Sequence, residues 1–152
     1  MSPKDQFKGG EVLAEASVSI FHLAFTVTDL VATRAFYCDE LGCKSKKSSE
    51  DWIILDFFGH KATAYLDRSR PATGPVHEDD PAMRHFGAIL TEAGFRDLAD
   101  RLQARGQEFM IPPTLSDRGT QNENWIMMLR DPAGNVLEFN AVLHRDKIFF
   151  PC

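Results

Sequence analysis

The chain has 152 residues, 43% hydrophobic and 26% charged, with a formal net charge of −5 and an isoelectric point near 5.5. That is one domain's worth of chain, able to bury about two thirds of its unfolded surface without a disulfide or structural metal. The acidic balance argues against nucleic acid, and no apolar run approaches the ~18 residues of a membrane span.

Residues 1–17 are polar and contain glycine, and read as an N-terminal arm without the apolar core of a secretory signal. Cys38, Cys43 and Cys152 match neither a metal-binding spacing nor a disulfide ladder. They are expected as free thiols in a reducing, cytoplasmic setting. Residues 18–27 (VSIFHLAFTV) are rich in β-branched and aromatic types and predict a strand. Asp29 then caps a helix carrying Leu30, Ala35, Phe36 and Leu41, and Gly42 stops it. The polar stretch KSKKSSED fits a turn or a solvated hairpin edge. Residues 52–58 and 60–66 predict two strands about a turn at Gly59.

Residues 67–84 hold three prolines, a glycine and many charges, and read as a linker containing an exposed His77. The pattern then restarts. Residues 85–90 predict a strand, and 92–105 a helix with Phe95, Leu98 and Leu102 on one face. Residues 107–111 predict a strand and 114–123 a polar loop. Residues 125–129 and 136–142 predict two strands joined by the Asp131-Pro-Ala-Gly-Asn135 turn. The tail 144–152 mixes charge, including His144, with Phe149 and Phe150.

The order strand, helix, then two or three strands thus occurs twice, over 18–66 and 85–143. This is a duplication at the supersecondary level. One half could not bury its sheet face alone. Two halves packed together can make a curved sheet with helices outside and a cleft within. The class is α+β.

Strand alternation sets which side chains share a face. His22 faces with Ala24 and Thr26, His85 with Gly87 and Ile89, and Glu138 with Val136 and Asn140. Each is a polar residue in a largely apolar strand, and a buried carboxylate needs a partner or a metal. Two imidazoles and a carboxylate form a triad that leaves coordination positions open to a substrate with adjacent oxygens or to dioxygen. Laying Gly59 on Gly134 sets Thr63 opposite Glu138, so the first half supplies one ligand. Tyr65, on the face of Thr63 and Lys61, is a candidate acid/base. His60 is a weaker cleft candidate, because a one-residue slip of register would exchange the two faces.

The segments FHLAFTVTDLVATRAFYCDELGC, HFGAIL and MLRDPAGNVLEFNA resemble the vicinal oxygen chelate superfamily. That group comprises glyoxalase I, bleomycin- and fosfomycin-resistance proteins and type I extradiol dioxygenases. The resemblance spans about residues 20–142. It implies two tandem βαβββ modules forming an incomplete barrel around a divalent metal, held by His22, His85 and Glu138. The stretch DWIILDFFGHKATAYL resembles a bacterial extradiol-dioxygenase-like subgroup.

The resemblance implies a metal-dependent, dioxygenase-like oxidoreductase acting on a small molecule that chelates the metal through adjacent oxygens. Fe(II) is favoured among Fe, Mn, Zn, Ni and Co. A metal-dependent lyase, isomerase or thiol transferase on the same site, or a metal-free drug-binding protein, are the alternatives. Phe58, Trp125 and Met127 are candidate cleft walls, and Arg118 a candidate partner for a substrate carboxylate. An exposed sheet edge and the apolar tail point to a homodimer.

Overall fold

A computed structural model describes residues 20–69 and 85–143. The arm, His77 with most of the linker, and the tail with His144 lie outside the described residues. The first half contains β1 (His22–Val27), a helix whose first turns α1 (Leu30–Arg34) continue as a π-helical turn (Ala35–Glu40), β2 (Lys44–Ser48), β3 (Trp52–Phe57) and β4 (His60–Leu66). The second contains β5 (His85–Ile89), α2 (Glu92–Ala104), β6 (Phe109–Ser116), β7 (Asn124–Arg130) and β8 (Val136–Val142).

Each half forms its own four-stranded mixed sheet, in the order β1-β4-β3-β2 and β5-β8-β7-β6. The first strand of each half pairs parallel to the last, and the other pairs are antiparallel. A parallel pair needs a long crossover, which the helix and the intervening hairpin provide. The class expected from the sequence, α+β with two repeated βαβββ units, is the one observed.

Local chemistry accounts for the element ends. Asp29 Oδ1 accepts from the Val31 and Ala32 amides at 2.8 and 3.0 Å, capping α1. Thr91 does the same for α2 through the Gly94 amide. Phe58 and Gly59 both take positive φ, 50° and 88°, as a tight two-residue hairpin turn requires. The lysine-rich segment is the edge strand β2, whose charges disfavour strand addition. Two expectations need correction. The first helix is not a single α-helix, and β6 runs on through Pro112 and Pro113 to Ser116. It tolerates the prolines because it is an edge strand with register shifts on either side of Ile111.

One face of each sheet turns inward to a shared core. In the first sheet these residues include Val27, Ile53, Leu55, Phe57, Ala62 and Ala64, and in the second Met127, Leu129, Leu137, Phe139 and Ala141. Helix residues Phe36, Tyr37, Leu41, Phe95, Leu98 and Leu102 complete the same cluster. Aromatic contacts join the halves: Phe25 to Phe86 at 5.1 Å and Phe57 to Phe86 at 5.7 Å between ring centroids. The alternate residues of each strand form a second, open face that points away from this core.

Candidate functional site

The ladders place the proposed ligands on these open faces. β1 pairs with β4 so that His22 meets Lys61 and Ala24 meets Thr63. β5 pairs with β8 so that His85 meets Val136 and Gly87 meets Glu138. Thr63 therefore stands to His22 as Glu138 stands to His85, the equivalence that aligning the two turn glycines predicts.

His85 Nε2 lies 3.1 Å from Glu138 Oε2, with the two side chains 34% and 22% exposed. Glu138 is thus partnered and reachable by solvent rather than sealed in the core. Gly87 makes room between the two strands. A Cβ built there would stand 1.5 Å from the Glu138 carbonyl oxygen, so no other residue fits without moving the backbone.

His22 is exposed, and its Nδ1 lies 3.3 Å from the Lys61 carbonyl. A carbonyl can only accept, so the proton in that contact sits on Nδ1, which leaves Nε2 as the ring nitrogen not engaged by the Lys61 carbonyl. Ligand histidines are commonly oriented in this way by a backbone carbonyl. His22 does not, however, join His85 and Glu138. Among the described residues no three His, Cys, Asp or Glu side chains gather as a metal-binding group. The two sheets share their inner faces, so the outer faces that carry these residues do not close on one another within a chain.

Tyr65 is 48% exposed on the open face of β4. His60 lies on the other parity from Lys61, and its Nδ1 accepts from the Phe21 amide at 3.0 Å. Three expected wall residues belong to the inner side instead. Met127 is fully buried in the core. Trp125 packs on Phe95 and lies 5.5 Å beneath the Arg96 guanidinium of α2. Phe58 sits in the β3–β4 turn against Phe57 and Phe139. The reason is strand parity. The residues of β7 that share the face of Glu138 are Met128, its register partner, and Ile126, opposite Asn140. Arg118 lies exposed in the loop after β6.

Sequence reasoning did not foresee a buried polar junction between the halves. Asp131 is 4% exposed and accepts from the Tyr37 hydroxyl (2.9 Å), the Ala133 and Asn135 amides (2.9 and 2.8 Å) and Asn135 Nδ2 (2.8 Å). Asn135 Nδ2 also donates to the Thr26 carbonyl at 3.0 Å. Burial raises the Asp131 pKa from its ordinary value, partly offset by these donors. Burial and the facing Asp131 push the Tyr37 phenol well above its ordinary value. The DPAGN motif signalled the turn, but nothing in it signalled a partner on the first helix.

Comparison with known proteins agrees with this architecture. The glyoxalase/bleomycin resistance protein/dioxygenase superfamily profile matches residues 19–139. A glyoxalase/bleomycin resistance protein/dioxygenase from Alicyclobacillus acidocaldarius is 30% identical, with a TM-score of 0.75 over 86% of this chain and 96% of that one. A genomically encoded fosfomycin resistance protein from Listeria monocytogenes shares the fold at 15% identity, with a TM-score of 0.64 over 86% of this chain and 98% of that one. A lactoylglutathione lyase from Agrobacterium tumefaciens does so at 18% identity, with a TM-score of 0.60 over 86% and 97%. No curated protein sequence matches the chain. With the duplicated sheets, the ladder equivalence and the family profile in agreement, the chain belongs to the glyoxalase/bleomycin resistance protein/dioxygenase superfamily.

Proposed function

We propose that this protein is a metal-dependent enzyme, a dioxygenase-like oxidoreductase that uses Fe(II) and acts on a small substrate with adjacent oxygens. The observation that carries this reading is the His85–Glu138 pair, an imidazole and a carboxylate 3.1 Å apart on an open sheet face, across from a glycine that admits no side chain. Superfamily members commonly use divalent metals. Two imidazoles and one carboxylate suit such an ion while leaving positions open.

The third ligand comes from a second copy of the chain. β1 and β5 are both edge strands, and they carry His22 and His85. Their outward rims expose Phe21 at 62% and Ile89 at 41%. Laying β1 of one chain beside β5 of the other would satisfy both edges and bring His22 of the partner subunit to His85 and Glu138. The protein would act as a homodimer with two equivalent sites.

When bound, the cation supplies Lewis acidity and an anchoring point for adjacent oxygens and dioxygen. The chain's own residues supply the rest. Nδ1–H donation to the Lys61 carbonyl holds the His22 ring so that Nε2 faces outward. Tyr65 presents a phenol on the same open face, where it can donate to a substrate oxygen or take a proton from it. Ile54, Ile126 and Met128 line the faces with apolar surface that limits water. Thr63, 3% exposed, stands at the position equivalent to Glu138 and brings no carboxylate there, which favours a three-ligand set over a four-ligand lyase set.

Metal analysis of anaerobically purified protein, followed by oxygen uptake over a panel of catechols, tests the proposal. Bound iron with substrate-dependent oxygen uptake is expected, both lost in Glu138→Ala. Bound Zn, Ni or Mn without oxygen uptake would favour a lyase, isomerase or thiol-transfer reaction. Metal-free protein would favour a drug-binding role and overturn the reading.

A further inference from the structure

The open face of the first sheet is positively charged in a chain whose net charge is −5. Register aligns His22, Lys61, Asp56 and Lys44 in one row across β1, β4, β3 and β2. Lys47 stands in the next row beside Ile54. Lys46, at the register shift between Ser45 and Lys47, reaches Asp56 at 3.7 Å. Four lysines thus share this part of the sheet with one aspartate, which pairs with Lys46.

The three on β2 have an ordinary explanation, since charge on an edge strand prevents strand addition. Lys61 does not. β4 is an interior strand, paired to β1 on one side and β3 on the other. Its ammonium forms no ion pair among the described residues. Lys61 and Lys46 both line a cavity of about 350 Å³, together with Ile54, Asp56, Gly59 and His60. That volume suits one small molecule.

We propose that this cavity binds the carboxylate of a small organic acid whose apolar body lies on Ile54. Within the cavity, two lysines against one aspartate leave one positive charge uncompensated, which matches a monoanion better than a phosphate-type dianion. A concave, partly apolar wall strengthens the attraction relative to open water. The cavity adjoins the metal ligand of the proposed enzyme, because Lys61 is the register partner of His22. The inference rests on that functional reading in identifying the bound acid as the substrate: a chelating molecule that carries a carboxylate on its apolar side.

Titration calorimetry of the full chain, as purified and after chelator treatment, tests this with benzoate, phenylphosphonate and benzyl alcohol at low ionic strength. Benzoate is expected to bind at least about tenfold tighter than benzyl alcohol, and Lys61→Gln to remove about that factor while leaving benzyl alcohol unchanged. His22→Ala should keep benzoate binding even as it loses metal, so failure of the cavity and failure of the metal site are separately visible. Should Lys61→Gln not fold, Lys46→Gln is expected to weaken benzoate severalfold, and no loss there would overturn the proposal. It is equally overturned by benzoate binding no tighter than benzyl alcohol, by unchanged benzoate binding in a folded Lys61→Gln, or by phenylphosphonate binding more than tenfold tighter than benzoate.

Discussion

The Tyr37 hydroxyl donates to Asp131 Oδ2 at 2.9 Å, tying the helix of the first half to the last turn of the second across 94 residues of sequence. Both groups are buried, so the bond forms where water cannot replace it. Together with the bond from Asn135 Nδ2 to the Thr26 carbonyl, it adds directional contacts to the apolar core that the two sheets share.

Tyr37→Phe is expected to cost about 1–3 kcal/mol, because Asp131 loses one of its donors while the ring still packs. The cost should depend on pH. Burial raises the folded pKa of Asp131, so its own contribution to stability is present at low pH and is lost as pH rises through that folded value. The tyrosine donor opposes this shift, so removing it raises the folded pKa further. The difference between wild type and Tyr37→Phe should therefore be largest at neutral pH and shrink as acid protonates Asp131. Urea denaturation of both proteins at several pH values checks this, and a pH-independent difference would sink it.

Gly87→Ala is expected to destabilise by about 1–3 kcal/mol or more, since the added methyl cannot coexist with the Glu138 carbonyl. Moving β5 away from β8 also separates His85 from Glu138, so metal content should fall with the thermal midpoint. Gly59→Ala provides the contrast. Nothing lies within 4 Å of a Cβ there, so its cost should come from the turn conformation alone, with metal content unchanged. A stable, metal-replete Gly87→Ala would refute the positioning role.

Much of this was legible in the sequence, and the division has a physical basis. The cap at Asp29 and the stop at Gly42 are local, so residue types announce them. The equivalence of Thr63 and Glu138 follows from counting along two copies of one unit. Face assignment by alternation puts His22, His85 and Glu138 on one parity of their strands, and the structure turns that parity outward rather than into a cleft between the halves. It failed for Trp125 and Met127, because both parities of β7 are apolar and periodicity cannot choose between them. The Tyr37–Asp131 junction and the way the halves pack are long-range facts that no local pattern encodes. Hence a cleft between the halves was expected where the chain instead presents two separate open faces.

Cys43 is expected to resist alkylation. It is 8% exposed, and burial pushes its thiol up to about 12. Near pH 8 only about one molecule in 10⁴ would carry the thiolate. Cys38 is half-buried and also raised, with desolvation partly countered by Arg34. In a Cys152→Ser background, iodoacetamide should label Cys38 before Cys43, as peptide mapping over time would reveal. Equal labelling of both would mean that the π-helical turn opens readily.

The proposed sharing of ligands between chains makes a prediction that a site within one chain does not. His22→Ala and Glu138→Ala should each abolish metal binding when pure. In a hybrid dimer of the two, one site receives His85 and Glu138 from the first variant and His22 from the second, and is intact. The other site lacks both altered ligands. Random reassortment makes half of the dimers hybrids, so mixing after reversible dissociation should restore about a quarter of wild-type metal content. Metal analysis with sedimentation velocity reads both quantities. A monomer at micromolar concentration, or a mixture as empty as its components, would place the third ligand elsewhere.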